Sequence, residues 1–125
     1  MEVPGNIFYT KDHEWVSGKD GVVTLGISAF ALEQLGDIVH LELPEVGESF
    51  EKGDTFGTIE STKTVSDLYV PAKGTVTEIN KEVLENPELL SDEPYEKWLI
   101  KYEIKESSDI LLGSKEYQEY LSAEA

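Results

Sequence analysis

The stretch Gly57-Thr58-Ile59-Glu60-Ser61-Thr62-Lys63-Thr64-Val65-Ser66-Asp67-Leu68-Tyr69-Val70-Pro71 reads as a β-hairpin with a lysine at its tip. Strand-like runs flank the lysine, and the short polar residues between them show no helical periodicity. A tight hairpin gives the tip a rigid support while leaving the Lys63 amine in water. Ser61, Thr62, Thr64 and Ser66 are small and hydroxylated, which leaves room for an enzyme that modifies the amine. Gly57 before the hairpin and Gly74 after it allow close approach of the backbone. Taken alone, such a lysine is an ordinary exposed charge.

Working outward, turn signals recur every eight to twelve residues, the spacing of a sandwich or barrel of short strands. Ile7 to Thr10 and Glu14 to Ser17 are short strand candidates. Val22 to Ile27 alternates, with Val23, Leu25 and Ile27 on one face. Ser28 is placed to cap a helix over Ala29 to Leu35 that Gly36 ends. Val39, Leu41 and Leu43 alternate with His40 and Glu42 in a half-buried strand stopped by Pro44. A turn at Lys52-Gly53-Asp54 leads into a strand from Phe56 to Ser61, and Val65 to Val70 leads out of the lysine turn. After Pro71-Ala72-Lys73-Gly74 comes a strand from Thr75 to Ile79. Asn80 caps a short helix to Leu84 or Glu85, and Pro87 opens another turn of helix before Ser91. Trp98, Ile100, Tyr102 and Ile104 predict a last strand, and Ser114 a terminal helix with Tyr117, Tyr120 and Leu121 on one face. No linker divides the chain, so residues 1–125 are expected to form one domain.

Composition narrows the function. The chain carries 26 acidic residues against 10 basic ones, all lysine, for a formal charge of -16. That charge opposes nucleic acid and anionic membranes and favours solubility or partners with basic surfaces. Cysteine is absent, so thiolate nucleophiles, disulfides and zinc-thiolate sites are excluded, and any sulfur chemistry must arrive on a cofactor. No segment is long and apolar enough to cross a bilayer as a helix. Met1 to Asn6 lacks the features of a secretion or transit signal, which points to the cytoplasm, or to the mitochondrial matrix for a processed organellar form. His13 and His40 have no partner histidine or carboxylate cluster at ligand spacing and read as structural or solvated. Trp15, Trp98 and the tyrosines read as packing residues, and no catalytic constellation accompanies them.

The blocks Gly47-Glu48-Ser49-Phe50-Glu51-Lys52-Gly53-Asp54, Glu60-Ser61-Thr62-Lys63 and Asp67-Leu68-Tyr69-Val70-Pro71-Ala72-Lys73-Gly74 through Asn80 resemble the lipoyl/biotinyl-domain superfamily. Within it, the chain is similar to the H proteins of the glycine cleavage system. Tyr9 to Val16, Gln34 to Val39, Leu43 to Gly47, Pro94-Tyr95, Trp98 to Lys101 and Glu116-Tyr117 carry that likeness, in order, from Tyr9 to Leu121. The resemblance implies a mainly β fold, a hybrid barrel-sandwich of two antiparallel sheets with short peripheral helices and a C-terminal helix. It implies (R)-lipoate in amide linkage to Lys63, Glu60 and Gly74 as positions supporting recognition by lipoylating enzymes, and Glu14 and Asp67 beside a groove where the arm docks. A carboxylate there would hold the ammonium of an aminomethyl-loaded arm by a charge-assisted hydrogen bond.

The implied role is a non-catalytic, monomeric carrier of the aminomethyl group. Its partners would be a pyridoxal-phosphate glycine decarboxylase, a tetrahydrofolate-dependent aminomethyltransferase and an FAD-containing dihydrolipoamide dehydrogenase. The hard chemistry then belongs to the cofactor and those enzymes. Thr62 and Thr64 depart from the small apolar residues usual beside the lysine, and Gln34 stands where some members carry histidine. Three other readings remain: a biotinyl carrier, whose lysine is usually flanked by methionines; a relay that hands lipoate to other proteins; and a noncatalytic interaction module.

Overall fold

The computed structural model describes residues 7–18, 21–105, 117 and 119–122. Its elements run β1 (Phe8–Tyr9), β2 (Glu14–Ser17), β3 (Val22–Ile27), α1 (Ala29–Leu35), β4 (Ile38–Glu42), β5 (Ser49–Phe50), β6 (Thr55–Ser61), β7 (Val65–Tyr69), β8 (Gly74–Ile79), α2 (Lys81–Glu85), α3 (Leu89–Asp92) and β9 (Ile100–Ile104). One six-stranded sheet has the order β1-β2-β3-β9-β8-β5, and a three-stranded sheet has the order β4-β6-β7. Every strand pairing is antiparallel.

The two sheets bury one core between them. Val16, Leu25, Val76 and Ile100 come from the larger sheet, and Ile38, Leu41, Phe56, Ile59 and Leu68 from the smaller. Period-two alternation explains most of this: in β3, Val23, Leu25 and Ile27 are buried as their spacing predicts. The Ser28 hydroxyl accepts from the Ala31 amide to start α1, and Gly36, at φ 84°, ends it in a conformation that suits glycine. Asn80 caps α2 in the same way through the Glu82 amide.

A second cluster lies outside this core. Tyr9, Trp15, Tyr117 and Leu121 are buried together, with Phe30, Tyr95 and Trp98 packed against them. The Tyr9 and Tyr117 rings stack at 4.4 Å with planes 2° apart. Residues 117 and 119–122 are helical, and Tyr117, Tyr120 and Leu121 lie on the packed side; Ser114, expected to cap that helix, lies outside the described residues.

Three expectations are corrected. Val39 is 52% exposed rather than buried, because the β4–β6 register shifts between Ile38 and His40 and breaks the alternation. Ser49–Phe50 forms a strand where only a turn region was expected, since it completes the edge beside β8. Leu99, which falls between Trp98 and Ile100 in the alternation that predicts the last strand, is nevertheless fully buried: it precedes β9, where its amide bonds the Leu25 carbonyl and the strand alternation has not begun.

Trp15 lies across from Gly26 in the β2–β3 register. A Cβ on Gly26 would run into the Trp15 indole, so the absence of a side chain there seats the ring. Gly26→Ala is expected to destabilise the chain by about 1–3 kcal/mol through this overlap. Urea unfolding followed by tryptophan fluorescence measures it, and an unchanged midpoint would show that the ring is not held there.

Candidate functional site: the lysine hairpin

Ser61 builds the tip of the β6–β7 hairpin. Its hydroxyl accepts from the Lys63 and Thr64 amides, each at 3.1 Å, while its own amide donates to the Thr64 carbonyl at 2.8 Å. Ser61 is buried, so it is not one of the small neighbours that leave open space; it replaces backbone partners that a tight turn cannot supply. Thr62 and Thr64 are exposed, as is Lys63.

Two contacts tie the tip to the end of α1. The Thr62 amide donates to the Asp37 carbonyl at 3.0 Å. The Lys63 stem lies over Gly36, where an added Cβ would stand 3.5 Å from Cε and 3.8 Å from Nζ. Gly36 and Asp37 also line a 430 Å³ groove between α1 and α3, with Ala29, Leu32, Ser91 and Pro94. The lysine therefore leaves the hairpin along a defined wall.

The base of the hairpin is held by Glu14. This residue sits on β2 in the larger sheet, yet its carboxyl reaches the other sheet and accepts from the Tyr69 amide at 2.7 Å. Its second oxygen accepts from the Thr10 hydroxyl at 3.3 Å. Glu14 is 2% exposed. Burial pushes its carboxyl from 4.5 up to about 8, against the opposing pull of the Tyr69 hydrogen bond. It is thus a buried inter-sheet strut, not an open groove wall. Asp67, two residues before Tyr69 on the same strand, is exposed.

The remaining site residues separate. Glu60 is exposed on β6, opposite His40 of β4 and Val65 of β7, on the outward face of the smaller sheet. Gly74 lies in the other sheet and is buried; a Cβ there would meet the Glu103 carbonyl and the Tyr102 ring. Its lack of a side chain serves packing of β8 on β9. His13 Nδ1 is 2.9 Å from the Tyr117 hydroxyl, which is 2.7 Å from Ser28 Oγ, so His13 belongs to the aromatic cluster. Among the described residues no three His, Cys, Asp or Glu side chains gather as a metal site. The roles of Ser61, Gly36 and Asp37 were missed from sequence. Only the Ser at the start of a polar turn carried a local signal, since the other two contacts join segments far apart in the chain.

A family model described as glycine cleavage H-protein matches residues 7–124. The glycine cleavage system H protein of Rippkaea orientalis is 49% identical over 128 residues, covering 99% of this chain and 97% of that protein. That of Staphylococcus haemolyticus is 47% identical, covering 97% and 98%. The crystal structure of a glycine cleavage system H protein from Mycobacterium marinum matches with a TM-score of 0.87 at 39% identity over 98% of both chains.

Because the native state holds the Glu14 proton up to about pH 8 and the unfolded chain releases it near 4.5, stability falls as pH rises across that window. Glu14→Gln is expected to remove that fall, a change on the order of a few kcal/mol between its two ends. Urea denaturation of both chains at pH 5 and pH 8 checks it; parallel pH dependence would place the proton elsewhere. Ser61→Ala, which strands two turn amides, should cost about 1–2 kcal/mol by the same measurement.

Proposed function

The chain belongs to the glycine cleavage H-protein family, and from that membership we propose that Lys63 is its lipoylated residue. Proteins of this family carry a lipoyl-lysine, and the chain is the lipoyl carrier of the glycine cleavage system, a non-catalytic subunit that works with the P, T and L proteins. The observation that carries the assignment to Lys63 is its place at the tip of a hairpin pinned at both ends, with its own side chain exposed. The group fits: the Ser61 hydroxyl and the Asp37 carbonyl orient the tip, and Gly36 leaves the lysine stem a clear path. Lipoate supplies a disulfide that the cysteine-free chain lacks.

The P, T and L partners are read as the pyridoxal-phosphate glycine decarboxylase, the tetrahydrofolate-dependent aminomethyltransferase and the FAD-containing dihydrolipoamide dehydrogenase. The carrier moves the aminomethyl group between the first two. Tethering at Lys63 raises the effective concentration of the arm at each enzyme. Glu60, exposed near the lysine on the outward sheet face, is the contact for lipoylating enzymes; Gly74 supports that step through the packing of β8. Asp67 is the accessible carboxylate for a docked ammonium, and Glu14 fixes the strand that bears it. Residues 1–125 act as one carrier domain, supported by the single core between the sheets. The bacterial relatives support a cytoplasmic site of action. Among the described residues, no helix is long and apolar enough to cross a membrane.

Intact-mass measurement after expression with a lipoylating system should show one lipoyl increment that Lys63→Arg removes. A biotinyl increment, or a lipoyl increment retained in the variant, would overturn the assignment. The lipoylated chain should support glycine–bicarbonate exchange by the decarboxylase; lipoylation without exchange would favour the relay. Asp67→Asn should shorten the hydrolytic lifetime of the loaded arm, and an unchanged lifetime would remove Asp67 from that role.

A further inference from the structure

Three hydrogen bonds converge on one buried oxygen at the lysine turn: Ser61 Oγ accepts from the Lys63 and Thr64 amides at 3.1 Å each and donates to the Thr64 carbonyl at 3.3 Å. The Ser61 amide donates to that same carbonyl at 2.8 Å, so the side chain and backbone of one residue close the turn together. The Thr62 amide donates to the Asp37 carbonyl at 3.0 Å. All four amides from Ser61 to Thr64 therefore have fixed acceptors, and the Ser61 hydroxyl supplies two of them.

With its own amide held, Lys63 extends its stem over Gly36, where an added Cβ would stand 3.5 Å from Cε and 3.8 Å from Nζ. Asp37 follows Gly36, and Glu60 and Asp67 lie on the two hairpin strands; all three are exposed. Among the described residues Lys63 nevertheless makes no ion pair, whereas Lys73, Lys97, Lys101 and Lys105 each hold a carboxylate. The difference is chemical. Only a neutral amine attacks an acyl carbon, and a carboxylate at ion-pair distance favours the charged form.

Acylation of the lysine by an acyl adenylate forms the bond from Nζ to the acyl carbon and breaks the bond from that carbon to the phosphate oxygen. AMP leaves, and one proton of the neutral amine passes to solvent. The rate depends on how often the amine stands ready beside the acyl carbon, so a fixed root raises it. We infer that Ser61 is a positioning residue for this transfer: its hydroxyl fixes the Lys63 and Thr64 amides and so aims the lysine stem over Gly36, out of ion-pair reach of the neighbouring carboxylates. It acts through the lysine backbone and not on the reacting atoms. The inference rests on the reading of Lys63 as the lipoylated residue.

The unmodified full chain is given to a lipoylating enzyme that uses lipoyl adenylate, and the lipoyl mass is followed with time. Ser61→Ala should lower kcat about tenfold with KM for the carrier unchanged, because the docking surface is intact and only the fraction of correctly placed amine falls. Ser61→Thr keeps the hydroxyl and should recover most of the rate. Gly26→Ala strains the larger sheet and not the hairpin, so it controls for stability and should be acylated at the parent rate. In parallel, limiting N-acetoxysuccinimide followed by peptide mapping should label Lys63 less in Ser61→Ala than in the parent chain, with the exposed Lys81 as internal standard, because the freed stem reaches its carboxylates. An undiminished kcat in Ser61→Ala overturns the inference, as does an equal loss in Ser61→Thr or in Gly26→Ala. Absence of lipoyl mass on the parent Lys63 would instead defeat the carrier reading. The acetyl labelling still decides the role of Ser61 in that case, since equal labelling of Lys63 in both chains overturns it.

Discussion

The lysine hairpin is held at both ends by groups outside its own two strands, and the rest of the site depends on that pinning. At its base the Glu14 carboxyl crosses from the larger sheet to the Tyr69 amide; at its tip the Asp37 carbonyl takes the Thr62 amide. Among the described residues β7 is an edge strand, and the Tyr69 amide finds its partner in Glu14 instead of in a further strand. A buried unpaired amide costs about 1–3 kcal/mol, and Glu14 satisfies this one while joining the two sheets. Burial in turn keeps the carboxyl protonated to higher pH than usual. One side chain thereby couples sheet packing, edge protection and the proton inventory beside the site.

Rigidity of this kind suits a carrier with no chemistry of its own. A tethered arm gains effective concentration only when its root points consistently toward each enzyme. Here the Ser61 hydroxyl shapes the turn, while Gly36 and Asp37 give the lysine a wall to follow. The reactive sulfur comes from the attached group, so the chain needs no nucleophile, and its strong negative charge is free to serve solubility and partner recognition.

Much of this was legible from local pattern. The β3 alternation, the Ser28 and Asn80 caps and the Gly36 stop are dictated within a few residues, and the structure reproduces them. The lysine hairpin is equally local, with Glu60 opposite Val65 and Ile59 opposite Ser66 across the turn. Val39 misled because a bulge shifts its strand by a residue, and a bulge is set by the partner strand, not by the residues that carry it. Glu14 misled more deeply. An acidic residue at the start of a short strand gives no local sign that it will be buried: Thr10 donates to it at 3.3 Å from nearby, but the shorter bond, at 2.7 Å, comes from the distant Tyr69 amide.

From sequence alone came most of the elements, though not the short strand β5, together with the exposed lysine at a hairpin tip, the absence of thiol chemistry and the strong acidity. These follow from side-chain periodicity, turn chemistry and composition, which act over a few residues or over the whole count. Tertiary structure decided which carboxylate is a strut and which is open to a ligand, that Ser61 is buried, and that Gly74 serves a packing contact. It also brought Asp37 to the lysine turn. Each of those outcomes depends on burial or on contacts between distant segments, and no local pattern encodes either.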